Sequence, residues 1–181
     1  MVCSGGVASG TLISGGGVEY VYSGGIDRGA IISSGGLAFI VSGGAVSGGT
    51  VISGATLTVS SGGVVQAGLT LSGGTAVISG TAAAGQQIGY AGPGGDLALG
   101  NLAGFAAVIS GFSTSDAIDL LGFGYSGIET RSFAEAASNT SGTLTVLAGA
   151  KTASLTLLGS YVTSNFALSA DGGTGTFVKF A

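Results

Sequence analysis

The sequence carries almost no charge. Four Lys and Arg and eight Asp and Glu are spread over 181 residues, and there is no histidine. The basic residues, Arg28, Arg131, Lys151 and Lys179, form no cluster, so the positive footprint that nucleic acids and anionic membranes need is missing. A single cysteine, Cys3, excludes an internal disulfide and a cysteine-ligated metal centre. Proline occurs once, at Pro93, and tryptophan not at all. Mean hydropathy is +0.69, yet glycine interrupts every apolar run before it reaches the ~18 residues of a spanning helix. The strands of ~10 alternating residues and the aromatic girdles of a membrane barrel are also missing. No membrane insertion is therefore expected. Low charge does not mean disorder here, because 45% of the residues are hydrophobic.

What the chain does have is glycine. Its 39 glycines are far above the usual ~7%, and they lack collagen's every-third spacing. Ser4-Gly5-Gly6, Ser23-Gly24-Gly25, Ser42-Gly43-Gly44 and Ser61-Gly62-Gly63 recur every 19 residues. A second series, Ser14-Gly15-Gly16, Ser34-Gly35-Gly36, Ser53-Gly54 and Ser72-Gly73-Gly74, runs between them. A fixed period of this length marks a repeat architecture. Each Ser-Gly-Gly is a turn, and the runs between turns, such as Val18 to Tyr22 and Leu37 to Val41, are short and β-branched. Stacking the units aligns Val21, Ile40, Val59 and Ile78 in one column and Val7, Ile26, Ala45 and Val64 in another, both expected to face the core. The expected fold is all-β: a right-handed parallel β-solenoid of about 19 residues per coil, each coil pairing only with its neighbours.

The ladder decays after residue 80, and the Gly92-Pro93-Gly94-Gly95 cluster reads as a loop. Two units follow: the repeat solenoid over 1–95, and a less regular β module over 96–181 that continues or caps it. Strands are expected at Gly142 to Val146, Ala153 to Leu158, Asn165 to Leu168 and Thr176 to Phe180, and a short helical turn at Ser132 to Ala137. Asp27 and Arg28, the first charges inside a repeat apart from Glu19, are expected at an exposed corner.

The Ser-Gly-Gly ladder of residues 2–80, punctuated again by Gly10, Gly29 and Gly48, resembles the repeats of diffuse-adherence-type autotransporter adhesin passengers. The second half resembles a C-terminal module of bacterial exported repeat proteins. The matching pieces include Ile109-Ser110-Gly111-Phe112, Asp116 to Leu120, Gly142 to Val146, Gly159 with Tyr161, and Asp171-Gly172-Gly173-Thr174. The resemblance implies an extracellular, non-enzymatic surface or matrix protein, exported through an outer-membrane translocator or by a C-terminal signal. No apolar leader precedes the first repeat, so the chain is expected to be a fragment or mature piece or to be exported from its other end; with no translocator barrel in the chain, a one-step route is expected.

Strand alternation with Val21 inward sends Tyr20 and Tyr22 outward, and Phe39 one coil on. With Phe177 and Phe180 of the last strand, they are the candidate interface residues. Catalytic machinery is not expected: Asp116 and Asp119 are an odd number of residues apart and fall on opposite faces of a strand, and the basic residues are scattered. No cofactor is required. Asp116, Asp119 and Asp171, with Asp96, are weak calcium candidates, although the Gly-Gly-x-Gly-x-Asp repeat of calcium-binding solenoids is absent. Three functions stay open. The first is a subunit that associates head to tail with itself into an extracellular filament or biofilm matrix, joined through the first coil and an open strand at Thr176 to Phe180. The second is a surface adhesin passenger fragment that binds a host or glycan ligand. The third, a polysaccharide-active solenoid enzyme, has least behind it.

Overall fold

The computed structural model describes residues 1–181. Its chain winds through about six coils, each turning through three short strands. The first coil holds β1 (Val7–Ser9), β2 (Leu12–Ile13) and β3 (Val18–Val21). The second holds β4 (Ile26–Arg28), β5 (Ile31–Ile32) and β6 (Leu37–Ile40), and the third β7 (Ala45–Ser47), β8 (Thr50–Ile52) and β9 (Thr56–Val59). The fourth holds β10 (Val64–Ala67), β11 (Leu69–Ser72) and β12 (Thr75–Ile78), and the fifth β13 (Thr81–Ala82), β14 (Gln87–Gly92) and β15 (Asp96–Leu99). In the sixth, Phe105 bridges to Ala82 in place of a first strand, and β16 (Val108–Ser110) and β17 (Ala117–Leu120) complete the coil. Corresponding strands pair in parallel to give three sheets, so the expected parallel solenoid is borne out. Val2 already bridges to Val21, so the ladder starts at the second residue.

The Ser-Gly-Gly turns need both glycines, for different reasons. The first takes positive φ, as at Gly43 (77°), a region that side chains rarely adopt. The second lies against the coil before it: a Cβ on Gly44 would stand 2.4 Å from the Val21 carbonyl oxygen. The turns also hydrogen-bond to one another, Gly24 N to Gly43 O and Gly43 N to Gly62 O, both at 2.8 Å. The serine-glycine period is thus the signature of stacked turns as much as of stacked strands.

Val21, Ile40, Val59 and Ile78 form one fully buried column, which continues through Leu99 and Leu120. The second expected column stacks in the expected register but on the wrong face. Val7 is 53% exposed and Ile26 and Val64 are half-buried; of the four only the small Ala45 is buried, at 5%. The inward residues of that sheet are Ala8, Asp27, Val46, Val65 and Ala82. The reason is that a shift of one residue exchanges the faces of a strand while leaving its period unchanged. The same correction applies to Asp27, expected at an exposed corner: its side chain is fully buried, and only Arg28 is exposed.

The Gly92 to Gly95 stretch is a turn inside the fifth coil, and parallel stacking runs on to Leu120. Pairing direction changes beyond it. β18 (Thr130–Glu135), β19 (Ser141–Ala148) and β20 (Lys151–Leu158) form an antiparallel meander, joined to β16 through β20. The helical turn expected at Ser132 to Ala137 is therefore mostly strand: Phe133 and its neighbours pair with β19 along the chain's return, a long-range pairing that overrides local propensity. β21 (Phe166–Ala170) and β22 (Thr176–Phe180) form a hairpin laid antiparallel on β17. β22 is thus paired on both sides, and the open edge expected at Thr176 to Phe180 does not exist; the edges at this end are β18 and β21. Beneath the hairpins, Phe112, Phe133, Tyr161, Phe166 and Phe180 pack ring to ring at 5.6–6.3 Å and close the core. No helix is long and apolar enough to cross a membrane.

Candidate ligand-binding face

The outer face of the third sheet gathers most of the candidate residues. Its register sets two parallel columns. One runs Tyr20, Phe39, Thr58, Val77, Ala98, Asp119 and Phe177; the other runs Val18, Leu37, Thr56, Thr75, Asp96, Ala117 and Lys179. The face is aromatic at the first coil, hydroxyl-rich in the middle and charged at the hairpin end. Five strand spacings of ~4.8 Å separate Tyr20 from Asp119, a span of about 24 Å.

At the aromatic end, Tyr20 and Tyr22 are 38% and 39% exposed, as alternation requires, and Phe39 is half-buried beside them. The Tyr20 ring stacks on Phe39 at 5.1 Å and on Tyr22 at 6.1 Å. The three rings form a ladder rather than isolated contacts, because adjacent coils hold them in register.

At the charged end, a shallow cavity of about 340 Å³ is lined by Gly95, Asp96, Asp116, Phe177, Lys179 and Phe180, among others. The Lys179 Nζ lies 4.8 Å from the centre of the Phe177 ring. Asp96 Oδ1 is buried without a hydrogen-bond partner, and burial raises its carboxyl pKa while Lys179 opposes the rise. Asp116 is fully engaged: it accepts from Gly95 N at 3.1 Å, Ser113 N at 2.9 Å and Ser113 Oγ at 3.0 Å. Asp119 stands on the outer face of β17, 8% exposed, with Oδ1 unpartnered. Burial, then Asp171 and Asp96, push its carboxyl up to about 6. Asp171 caps the β21–β22 turn by accepting from Gly173 N at 2.7 Å and Gly175 N at 2.9 Å.

No protein-family model and no curated protein matches the sequence. A solved structure does match: the crystal structure of a TibC-catalyzed hyper-glycosylated TibA55-350 fragment. The two are 28% identical over 60% of this chain, with a TM-score of 0.31. The chain spans 38% of the length of that structure.

Of the expected site residues, Asp119, Asp171 and Phe177 come together with Asp96 and Lys179. Asp116 lines the cavity with Asp96, Phe177 and Lys179, while Asp119 and Asp171 stand outside its lining, and the Asp116 carboxylate is spent on backbone and serine donors. Phe180 lines the cavity and also packs toward Phe112 and Tyr161 beneath the hairpin. Sequence reasoning missed Lys179, because its place opposite Ala117 depends on the antiparallel return of β22. It also missed the buried pair Glu19 and Asp27. Both lie inside the first two coils, with Glu19 Oε2 and both Asp27 carboxylate oxygens unpartnered. The signal was present in β3, where Glu19 alternates with the outward Val18 and Tyr20 and so must face in.

Proposed function

We propose that the chain is a non-enzymatic segment of a secreted or surface-displayed bacterial protein that binds a glycan or a host surface along the outer face of its third sheet. The observation that carries this reading is the register of that face. An aromatic ladder, a hydroxyl strip and a carboxylate–lysine end lie along one sheet face about 24 Å long, held by backbone pairing. Aromatic rings stack on the apolar faces of sugars, and carboxylates and hydroxyls accept and exchange their hydroxyl hydrogen bonds. The resemblance of the Ser-Gly-Gly ladder to adhesin passenger repeats agrees with it. Catalysis is the weaker reading, because the Asp116 carboxylate at the cavity is saturated by the Gly95 and Ser113 donors.

Binding of the purified chain to a glycan array and to epithelial cells tests the proposal. Replacing Tyr20, Tyr22 and Phe39 together by Ser should leave the fold intact and abolish the binding. Binding that survives the triple substitution would overturn it. Self-association into a filament is the second reading, supported by the exposed apolar residues Val7, Leu12 and Val18 on the first coil. Head-to-tail growth would have to use β18 or β21 at the far end, since β22 is already paired. Light scattering at high concentration separates the two readings.

A further inference from the structure

β3 sets two neighbouring residues to opposite tasks. Tyr20 points out and stacks on Phe39 of β6 at 5.1 Å, while Glu19 points in beside Ala38 of the same strand. The column that Glu19 heads continues through Ala38, Leu57, Ala76 and Leu97, all apolar and buried. One turn later, on β4, Asp27 also points in, between Ala8 and Val46. Glu19 Oε2 and both Asp27 carboxylate oxygens are buried without a hydrogen-bond partner, and the charge of Glu19 acts on Asp27. The inward residues of the strands around the pair, Ala8, Ile13, Ile32, Ala38 and Val46, do not titrate. Arg28 is exposed on the far side of β4, and the Met1 amino group is the positive charge that acts on Glu19. Two neighbouring carboxylates in apolar walls are costly to keep ionised together.

Water has a way to reach the pair. Glu19 lines a cavity of about 270 Å³ between β2 and β3, together with Met1, Leu12, Ile13 and Val18. An ionised pair is hydrated when water enters from this space or when Glu19 turns out into it. In either case β3 loses the dry inward contact with Ala38 that seats it on β6.

We propose that Glu19 and Asp27 form a proton-held latch on the aromatic end of the ligand-binding face. Protonated, the pair keeps β3 seated and Tyr20 stacked on Phe39; ionised, it repels itself and loosens β3, so that ligand is held in acid and released in alkali. The consequence for binding rests on the glycan-binding role proposed for that face, whereas the loosening of β3 does not. The direction follows from burial. Burial, then the charge of Glu19, raises the Asp27 carboxyl to about 7, and burial raises that of Glu19. The seated form therefore keeps its protons to a higher pH than the loosened, hydrated form. Seating is strongest in acid, weakens as the pH rises from about 4, and is weakest above about 7.

The test is hydrogen exchange of the whole chain, read by mass spectrometry at about pH 5.5 and about pH 8.5 and corrected for intrinsic rates. Between the two, the segment holding β3 should lose about tenfold or more of its protection, and in alkali it should exchange ahead of β9. Asp27→Val should keep most of that protection, and Glu19→Ala should lose less of it than the unaltered chain. Binding to the glycan array or to cells should fall by a similar factor in the unaltered chain and hold in Asp27→Val. Protection of β3 that does not change with pH would overturn the latch, as would a loss undiminished in Asp27→Val. So would β3 and β9 exchanging together in alkali, since the charge would then act only on global unfolding. Binding equal at both pH values while β3 loosens would overturn the gating. If β3 responds as expected but no glycan or cell surface is bound at either pH, the latch stands and the binding role of the face falls.

Discussion

Asp27 occupies a column that every neighbouring coil fills with an aliphatic residue, Ala8 before it and Val46, Val65 and Ala82 after it. Its side chain is fully buried, and neither oxygen has a hydrogen-bond partner. Burial, and then the charge of Glu19, raise its carboxyl from 3.8 to about 7. The sign of the effect follows. Below about pH 4 the group is protonated in both states and costs no ionisation energy. As the pH rises toward 7, the unfolded chain ionises while the folded chain keeps the proton, so stability falls. Above about 7 the folded protein carries the whole penalty. A shift of this size corresponds to about 2–4 kcal/mol once solvent screening is allowed for. Asp27→Val removes that penalty and adds about 1–2 kcal/mol of apolar burial at every pH. Urea unfolding of the two proteins across acid and alkaline pH measures both terms. The gain should be small in acid and grow to about 3–6 kcal/mol in alkali. Glu19, whose carboxyl is also raised by burial, leaves a residual slope in the variant. Two stability curves that run parallel across the whole range would refute the reasoning, because Asp27 would then ionise alike in both states.

Two other perturbations test the frame itself. Val59→Asp places a charge in the fully buried column between Ile40 and Ile78 and should cost about 3–5 kcal/mol, enough to unfold the central coils; a cooperative transition at the original midpoint would argue against the column. Deleting residues 176–181 removes β22 from between β17 and β21, exposing the buried Val178 contact and the rings around Phe166. A loss of about 4 kcal/mol or more and dye binding at the uncovered end are expected, whereas an unchanged melting curve would mean that the hairpin contributes nothing.

The sequence by itself determined the period, the parallel register and the first buried column. In a solenoid each residue pairs with the residue one repeat away, so spacing along the chain is already spacing in the sheet. It also determined that Tyr20 and Tyr22 face outward, because Val21 between them belongs to a column too apolar to be exposed. The face of the first sheet was not legible. β1 and β4 are only three residues long, so the period fits either orientation, and only packing against the other two sheets chose Asp27 over Ile26 as the inward residue. The charged end was decided by tertiary structure alone. Asp119 and Asp171 meet, and Lys179 comes to lie beside Ala117, because the chain returns antiparallel after more than fifty residues with no period to announce its register. Gly175 was one glycine among 39 in the sequence; oxygens of Asp171, Asp119 and Leu120 crowd against it and leave no room for a side chain, which no repeat count could show.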